Sequence, residues 1–238
     1  MTTPSTLVLA HRGARRVAAE NTLEAFTRAL AMGADGVELD VRRTADGALV
    51  VHHDPSPAGG DLIATTSARA LLAAHPEIPT LAEALDVCAG AFVNVEIKNS
   101  PREAGFDRDD RAADAVVELL DARAGRDRVI VSSFQLATID RVRACSATVA
   151  TGLLTVTRAD ARLMDRLVGL GHRALHPGRQ GMTRRRADQI VADGHDRGLQ
   201  VNVWTVNAPV TIRRLAASGV DALITDVPDV ARRALGLS

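Results

Sequence analysis

Residues 9–54 read LAHRGARRVAAENTLEAFTRALAMGADGVELDVRRTADGALVVHHD, and they contain the repeating unit on which the whole chain is built. A short apolar run ends at Ala10, a stretch of helical period follows, and a second apolar run opens at Gly36. Asn21 is placed to cap the helix, with Glu24 at its third position, Leu23, Phe26 and Leu30 on one face and Gly33 as its stop. The same alternation continues outward through runs at Leu7–Ala10, Gly36–Val41, Phe92–Ile97, Val129–Ser132, Thr148–Leu153, Arg173–His176, Gln200–Thr205 and Ala222–Thr225. Runs rich in Val, Ile and Leu, each followed by a helical segment, predict a parallel sheet covered by helices. Eight such pairs in 238 residues predict an α/β fold of the (β/α)8 TIM-barrel type, read as a single domain over residues 1–238. An open dinucleotide-binding sheet is disfavoured because HRGAR, after the first strand, is not a G-x-G-x-x-G loop.

Two further helix signals are local. Thr80 and Glu83 have capping-box spacing ahead of Leu81 and Leu85, and Pro209 suits a first helical turn with Ile212 and Leu215 inward and Gly219 at the end. Asp46-Gly47 between Val41–Thr44 and Leu49–His52 predicts a two-residue hairpin turn, and so an extra antiparallel strand after the second barrel strand. Asp54 to Pro79, rich in Pro and Gly around a short helical piece at Ser67–Ala74, predicts a loop over the barrel mouth. It carries few large side chains, which predicts little discrimination among the alcohols a substrate could release.

Lys plus Arg equal Asp plus Glu at 29 each, so the chain lacks the net positive field of non-specific nucleic-acid binding. Its aromatic residues are four Phe, Trp204 and no Tyr, too few for base-stacking recognition. Cys88 and Cys145 are far apart and outside metal-binding spacing, which suggests small core residues in a reducing compartment. The start, MTTPSTLVLAHRG, has no basic region and only a short apolar run, and no apolar stretch is long enough to span a bilayer. A cytoplasmic protein without stable membrane insertion is expected; monomer and homo-oligomer are equally open.

The chemistry is concentrated at strand ends. In Val37-Glu38-Leu39-Asp40-Val41 the two carboxylates share one face, since residues i and i+2 of a strand point the same way. Glu96 and Lys98 share a face in the next barrel strand. Three carboxylates at neighbouring C-terminal strand ends predict an oxygen-ligand site for a hard divalent cation, Mg2+ or Ca2+, and leave Lys98 as a charge for a phosphate oxygen. The bland alternative is a Glu96–Lys98 ion pair, with Glu38 and Asp40 facing helix arginines. His11 and His53 fall just past strand ends and can work as an acid–base pair, although His52 competes with His53 for the role. His75, His172 and His195, together with Arg15, Arg16, Arg42, Arg43 and Arg184 to Arg186, are read as surface residues. Trp204 suits either the core or a wall of the substrate cleft.

These residues resemble the glycerophosphodiester phosphodiesterase family. The matching pieces are HRG at 11–13, ENT at 20–22, GVELDV at 36–41, VVHHD at 50–54, IPTLAEAL at 78–85, NVEIK at 94–98, SSF at 132–134, VNVWTVN at 201–207 and GVDALITDVPD at 219–229. The resemblance implies a TIM barrel that hydrolyses glycerophosphodiesters to sn-glycerol 3-phosphate and an alcohol with one divalent cation. It implies His11 and His53 as the acid–base pair, Arg12 and Lys98 as phosphate-contacting cations, Glu38, Asp40 and Glu96 as metal ligands, and Glu20 close to the site. The sequence departs from the family pattern in a short 54–79 segment, in LIATT at 62–66, which lacks the arginine that often precedes the paired threonines, and in Val227 after ITD. The alternatives are a phospholipase-like phosphodiesterase of the same barrel type, resembling sphingomyelinase D or phosphatidylinositol-specific phospholipase C, and a non-catalytic binding barrel.

Overall fold

The computed structural model describes residues 6–237. Residues 1–5, on which part of the leader-free reading rests, lie outside the described residues. The strands are β1 (Leu7–His11), β2 (Gly36–Arg43), β3 (Leu49–Val51), β4 (Phe92–Ile97), β5 (Val129–Ser133), β6 (Ala150–Thr155), β7 (Ala174–Pro177), β8 (Gln200–Val203) and β9 (Ala222–Thr225). The helices are α1 (Leu23–Ala31), α2 (Ala68–Ala74), α3 (Leu81–Val87), α4 (Arg111–Asp121), α5 (Leu136–Cys145), α6 (Ala161–Gly169), α7 (Arg184–His195), α8 (Pro209–Ala217) and α9 (Pro228–Leu235). Eight strands pair in parallel around a closed ring, because β1 bonds to both β9 and β2, while β3 hangs antiparallel on β2. No helix among the described residues is long and apolar enough to cross a membrane.

Apolar side chains fill two layers. Outward-facing strand residues such as Val8, Val37, Val95 and Val201 pack with Phe26, Leu81, Met164 and Ile212 of the helices. Leu9, Ala222 and Ile224, with Phe92 and Trp204 against them, fill part of the barrel interior. The helix ends are locally coded: Thr80 and Glu83 form the reciprocal capping box, and Pro209 opens α8. At α1 the cap is Thr22, whose hydroxyl accepts from Ala25 N at 3.2 Å, and not Asn21.

The β2–β3 turn is also one residue longer than the sequence suggests. Thr44 N donates to Ala48 O at 2.9 Å, which leaves Ala45, Asp46 and Gly47 as a three-residue loop with Gly47 at φ 96°. A type I turn followed by a left-handed glycine has this form. The strand at 148–153 begins two residues later than expected, at Ala150.

The 54–79 segment is anchored beside the mouth by a small core of its own, Val50, Ile63, Leu71 and Ile78. It does not act alone as a cover. A second loop, 98–110, rises opposite it, and the two wall a cavity of about 260 Å3.

His176 is fully buried in β7, with its Nε2 3.0 Å from Asn202 Nδ2, and burial pushes its imidazole down to about 3. The folded state therefore refuses a proton that the unfolded chain takes up near pH 6.5, so stability falls as the pH drops from there toward 3. In urea unfolding of wild type and His176→Gln at pH 7 and pH 4.5, the loss on acidification should be smaller in the variant by about 2–3 kcal/mol.

Candidate functional site

The site forms at the C-terminal ends of β1, β2 and β4. Strand register sets His11 beside Glu38 and Asp40 beside Glu96. One carboxylate oxygen from each of Glu38, Asp40 and Glu96 lies within 4.8 Å of the others, and all three residues are buried. Lys98 Nζ donates to Glu96 Oε1 at 2.8 Å and stands 3.8 Å from Asp40 Oδ1. Arg12 Nε lies 3.1 Å from Asp40 Oδ2, and Asn21 Nδ2 donates to the same oxygen at 2.9 Å. The Glu96–Lys98 pair is thus present, but Asp40 meets a loop arginine and not a helix arginine. Asp40 Oδ1 is buried with no hydrogen-bond partner.

Burial and the charges of Asp40 and Glu96 push Glu38 well above the usual carboxylate range. Burial and Asp40 likewise raise Glu96 to about 7, against the pull of Lys98. Burial acts on Asp40 in the same sense, but Lys98, Arg12, His53 and Asn21 outweigh it and hold Asp40 below its ordinary value. Lys98 stays charged, because Glu96 and Asp40 more than offset its own burial.

The loop after β1 is held in an unusual path. Arg12 and Asn21 sit at φ 56° and 58°, and Gly13 at φ 78°. A Cβ on Gly13 would lie 2.7 Å from the Ala25 carbonyl carbon, so the glycine of HRG is required by space as well as by backbone angle. The left-handed Arg12 lets its N–H reach Glu38 O at 2.8 Å, and Asn21 N donates to Arg12 O at 3.0 Å. Glu20 accepts from Arg12 Nη1 at 2.7 Å and pairs with Arg15 Nη2 at 2.6 Å.

Both candidate histidines present one nitrogen and tie up the other. His11 Nδ1 lies 2.7 Å from Asp226 Oδ1, and its Nε2 is 3.9 Å from Glu38 Oε2. Asp226 also accepts from Asn207 Nδ2 at 2.6 Å; burial works to raise this carboxyl, but those two partners and Arg15 bring it down to about 2. His53 Nδ1 lies 2.7 Å from Asp54 Oδ1. Burial lowers the His53 imidazole, which also feels Asp40, Lys98 and Arg12. His52 is engaged differently: its N–H donates to Asp40 O at 3.0 Å and its Nδ1 lies 2.9 Å from Asp54 O.

Several residues read as surface charge are not. Arg42 is buried, donates to His53 O at 2.9 and 2.5 Å, and pairs with Glu103 at 2.8 Å. Arg15 borders the site through Glu20 and Asp226, whereas Arg16 and Arg184 to Arg186 are exposed as expected. His172 is buried between Asp140 and Thr151, at 2.9 and 2.8 Å. His75 is half-buried 3.4 Å from Glu77, and His195 is exposed 2.9 Å from Asp221. Cys88 is a buried free thiol raised to about 12 by burial, while Cys145 is exposed, not core.

Trp204 is half-buried at the mouth, donates from Nε1 to His176 O at 2.8 Å, and meets Phe134 edge to face at 5.4 Å. Asp226, Asn207, Arg15 and Arg42 escaped the sequence reading as site residues. Asp226 and Arg42 carried a local signal, since each stands at the C-terminal end of a barrel strand, where barrel sites lie.

Residues 11–230 match the Glycerophosphoryl diester phosphodiesterase family. A glycerophosphodiester phosphodiesterase of Bacillus altitudinis is 30% identical over 94% of this chain and 96% of its own. The crystal structure of a glycerophosphodiester phosphodiesterase from Thermotoga maritima has a TM-score of 0.82 at 29% identity, over 96% of this chain and 97% of that one. An Oleispira antarctica phosphodiesterase, solved in complex with the product sn-glycerol-3-phosphate, has a TM-score of 0.84 at 26% identity, over 98% of this chain and 97% of that one. With both the sequence and the barrel matched along nearly their full length, the chain belongs to the glycerophosphoryl diester phosphodiesterase family.

Proposed function

We propose that this phosphodiesterase hydrolyses glycerophosphodiesters to sn-glycerol 3-phosphate and an alcohol, with a divalent cation at Glu38, Asp40 and Glu96 and with His11 and His53 as the acid–base pair. The observation that carries the reading is the convergence of three buried carboxylates, with Arg12 and Lys98 in contact, in a mouth that also holds both histidines. The product held by the Oleispira antarctica enzyme supports the same substrate class.

The cluster fits a cation on its own chemistry. Its donors are hard oxygens, two of its carboxyls are driven to hold protons by burial and by the charge of Asp40, and Asp40 Oδ1 is an orphaned buried acceptor. When bound, Mg2+ or Ca2+ supplies Lewis-acid polarisation of the phosphoryl group. Arg12 and Lys98 neutralise the phosphoryl oxygens, and Glu20 fixes the Arg12 guanidinium. A carboxylate on Nδ1 keeps the proton there and leaves Nε2 to take or give one, Asp226 serving His11 and Asp54 serving His53. Burial favours neutral His53, which suits it to act as a base near neutral pH. Trp204 and Phe134 wall the substrate cleft. Two free cysteines accord with a cytoplasmic setting.

The direct test incubates the purified protein with glycerophosphocholine and Mg2+ or Ca2+ and follows sn-glycerol 3-phosphate by a coupled assay. His11→Ala and His53→Ala should each lower kcat by roughly 100- to 10,000-fold with an unchanged circular dichroism spectrum, and His52→Ala should stay within about tenfold of wild type. A dead His52→Ala would reassign the base to the neighbouring position.

Metal binding gives a second test with a sign. Without metal the folded state holds protons on Glu38 and Glu96 that the unfolded chain releases near 4.5, so metal-free stability falls as pH rises from there through about 7. A cation that replaces those protons binds more tightly at higher pH. The rise in Tm produced by Mg2+ or Ca2+ should therefore grow from pH 5.5 to pH 8 and vanish in Glu96→Gln. No rise in wild type with either ion at any pH would remove the cation from the mechanism.

A further inference from the structure

We infer that the cavity between the 54–79 segment and the 98–110 loop is a subsite for a leaving alcohol that itself carries a phosphoryl anion, read by Arg43. The inference rests on the activity proposed above and names which substrates within that class are favoured.

The cavity, about 260 Å3, adjoins the carboxylate cluster through Lys98, which lines both. It also adjoins His53, whose carbonyl is held by the cavity residue Arg42. The cavity is built rather than incidental. Asn99 is buried under it and clamps the 98–110 loop, donating to Asp107 O at 2.8 Å and Asp110 Oδ1 at 2.5 Å, and accepting from Asp107 N at 2.9 Å.

Four cations line the space, namely Arg42, Arg43, Lys98 and Arg111, against one lining carboxylate, Asp107. Three of the four are already matched, Arg42 by Glu103, Lys98 by Glu96 and Arg111 by Asp107. Arg43 is half-buried against the hairpin turn at Gly47, and its charge helps to lower the exposed Asp46 carboxyl, which already accepts from Thr44 Oγ1 at 2.6 Å and Ala68 N at 2.9 Å; no hydrogen bond or ion pair ties the Arg43 guanidinium itself among the described residues. A half-buried guanidinium whose neighbouring carboxylate lies beyond ion-pair distance and is already hydrogen-bonded elsewhere keeps its N–H donors for anionic oxygens, which it binds in a fork.

The glycerol half of every glycerophosphodiester is uncharged, so a guanidinium with untied donors in a pocket beside the scissile phosphate can discriminate only among the other halves. A cationic alcohol such as choline is disfavoured by this field, and a neutral one gains nothing from it. The small volume suits a compact polar group and not an acyl chain.

The test compares kcat/KM at fixed pH and metal for bis(glycerophospho)glycerol, whose leaving alcohol bears a second phosphodiester, with glycerophosphoglycerol and glycerophosphocholine. Wild type should favour the first by about tenfold or more, chiefly through KM, and the preference should shrink with added salt. Arg43→Gln should bring the ratio near one while its turnover of glycerophosphocholine, which also reports intact folding, stays at the wild-type level. Arg43→Lys, which keeps the charge and loses the fork, should keep a smaller, still salt-sensitive part of the preference. Equal kcat/KM for the three diesters in wild type, or a preference that survives Arg43→Gln, overturns the subsite and leaves the proposed activity standing. Failure to cleave any of the three overturns both.

Discussion

Like charge gathered in one small dry space governs this molecule. Glu38, Asp40 and Glu96 come from two adjacent strands of a closed ring, and barrel closure gives them no means of separating. Each carboxylate buried near another must hold a proton, find a cation, or pull in a counter-charge. Asp40 takes the last course, through Arg12 and Lys98, while Glu38 and Glu96 drift upward. The surroundings are arranged around that division.

The loop after β1 illustrates the cost of the arrangement. Bringing Arg12 and Asn21 onto Asp40 requires two non-glycine residues in left-handed backbone, and Gly13 between them must pass within contact of Ala25. Such conformations cost on the order of 1–3 kcal/mol each and persist only where the surroundings over-determine them. Here the Arg12 N–H on Glu38, the Asn21 amide on Asp40 and the Glu20 carboxylate on Arg12 do so. The strain and the charge cluster are therefore one structure.

A second tier of groups orients the first. Asp226 and Asn207 fix His11, Arg42 and Glu103 fix the carbonyl of His53, and His176 supports Trp204 through its own carbonyl. These residues come from β2 and β7 and from the loops after β4, β8 and β9, so the mouth draws on most of the circumference. The same spread explains the cavity, whose walls belong to two loops that are neighbours only because β2 and β4 pair.

Local steric rules wrote the fold into the sequence. Side chains alternate across a strand and recur every 3.6 residues on a helix, so the eight runs, their helices and the shared face of Glu38 and Asp40 are readable without neighbours. Capping at Thr80 and Pro209 is equally local, since each uses groups within one turn. Where two local patterns competed, sequence reading failed: Asn21 and Thr22 both suit a cap, and only the pull of Asp40 on Asn21 decides between them. The pairing of His11 with Asp226 spans 215 residues and depends on β1 and β9 closing the ring. Burial of Arg42, the partners of Arg15 and the place of Arg43 on the cavity wall are likewise consequences of which loops meet, which is set by strand register and core packing summed over the barrel, not by any local stretch of chain.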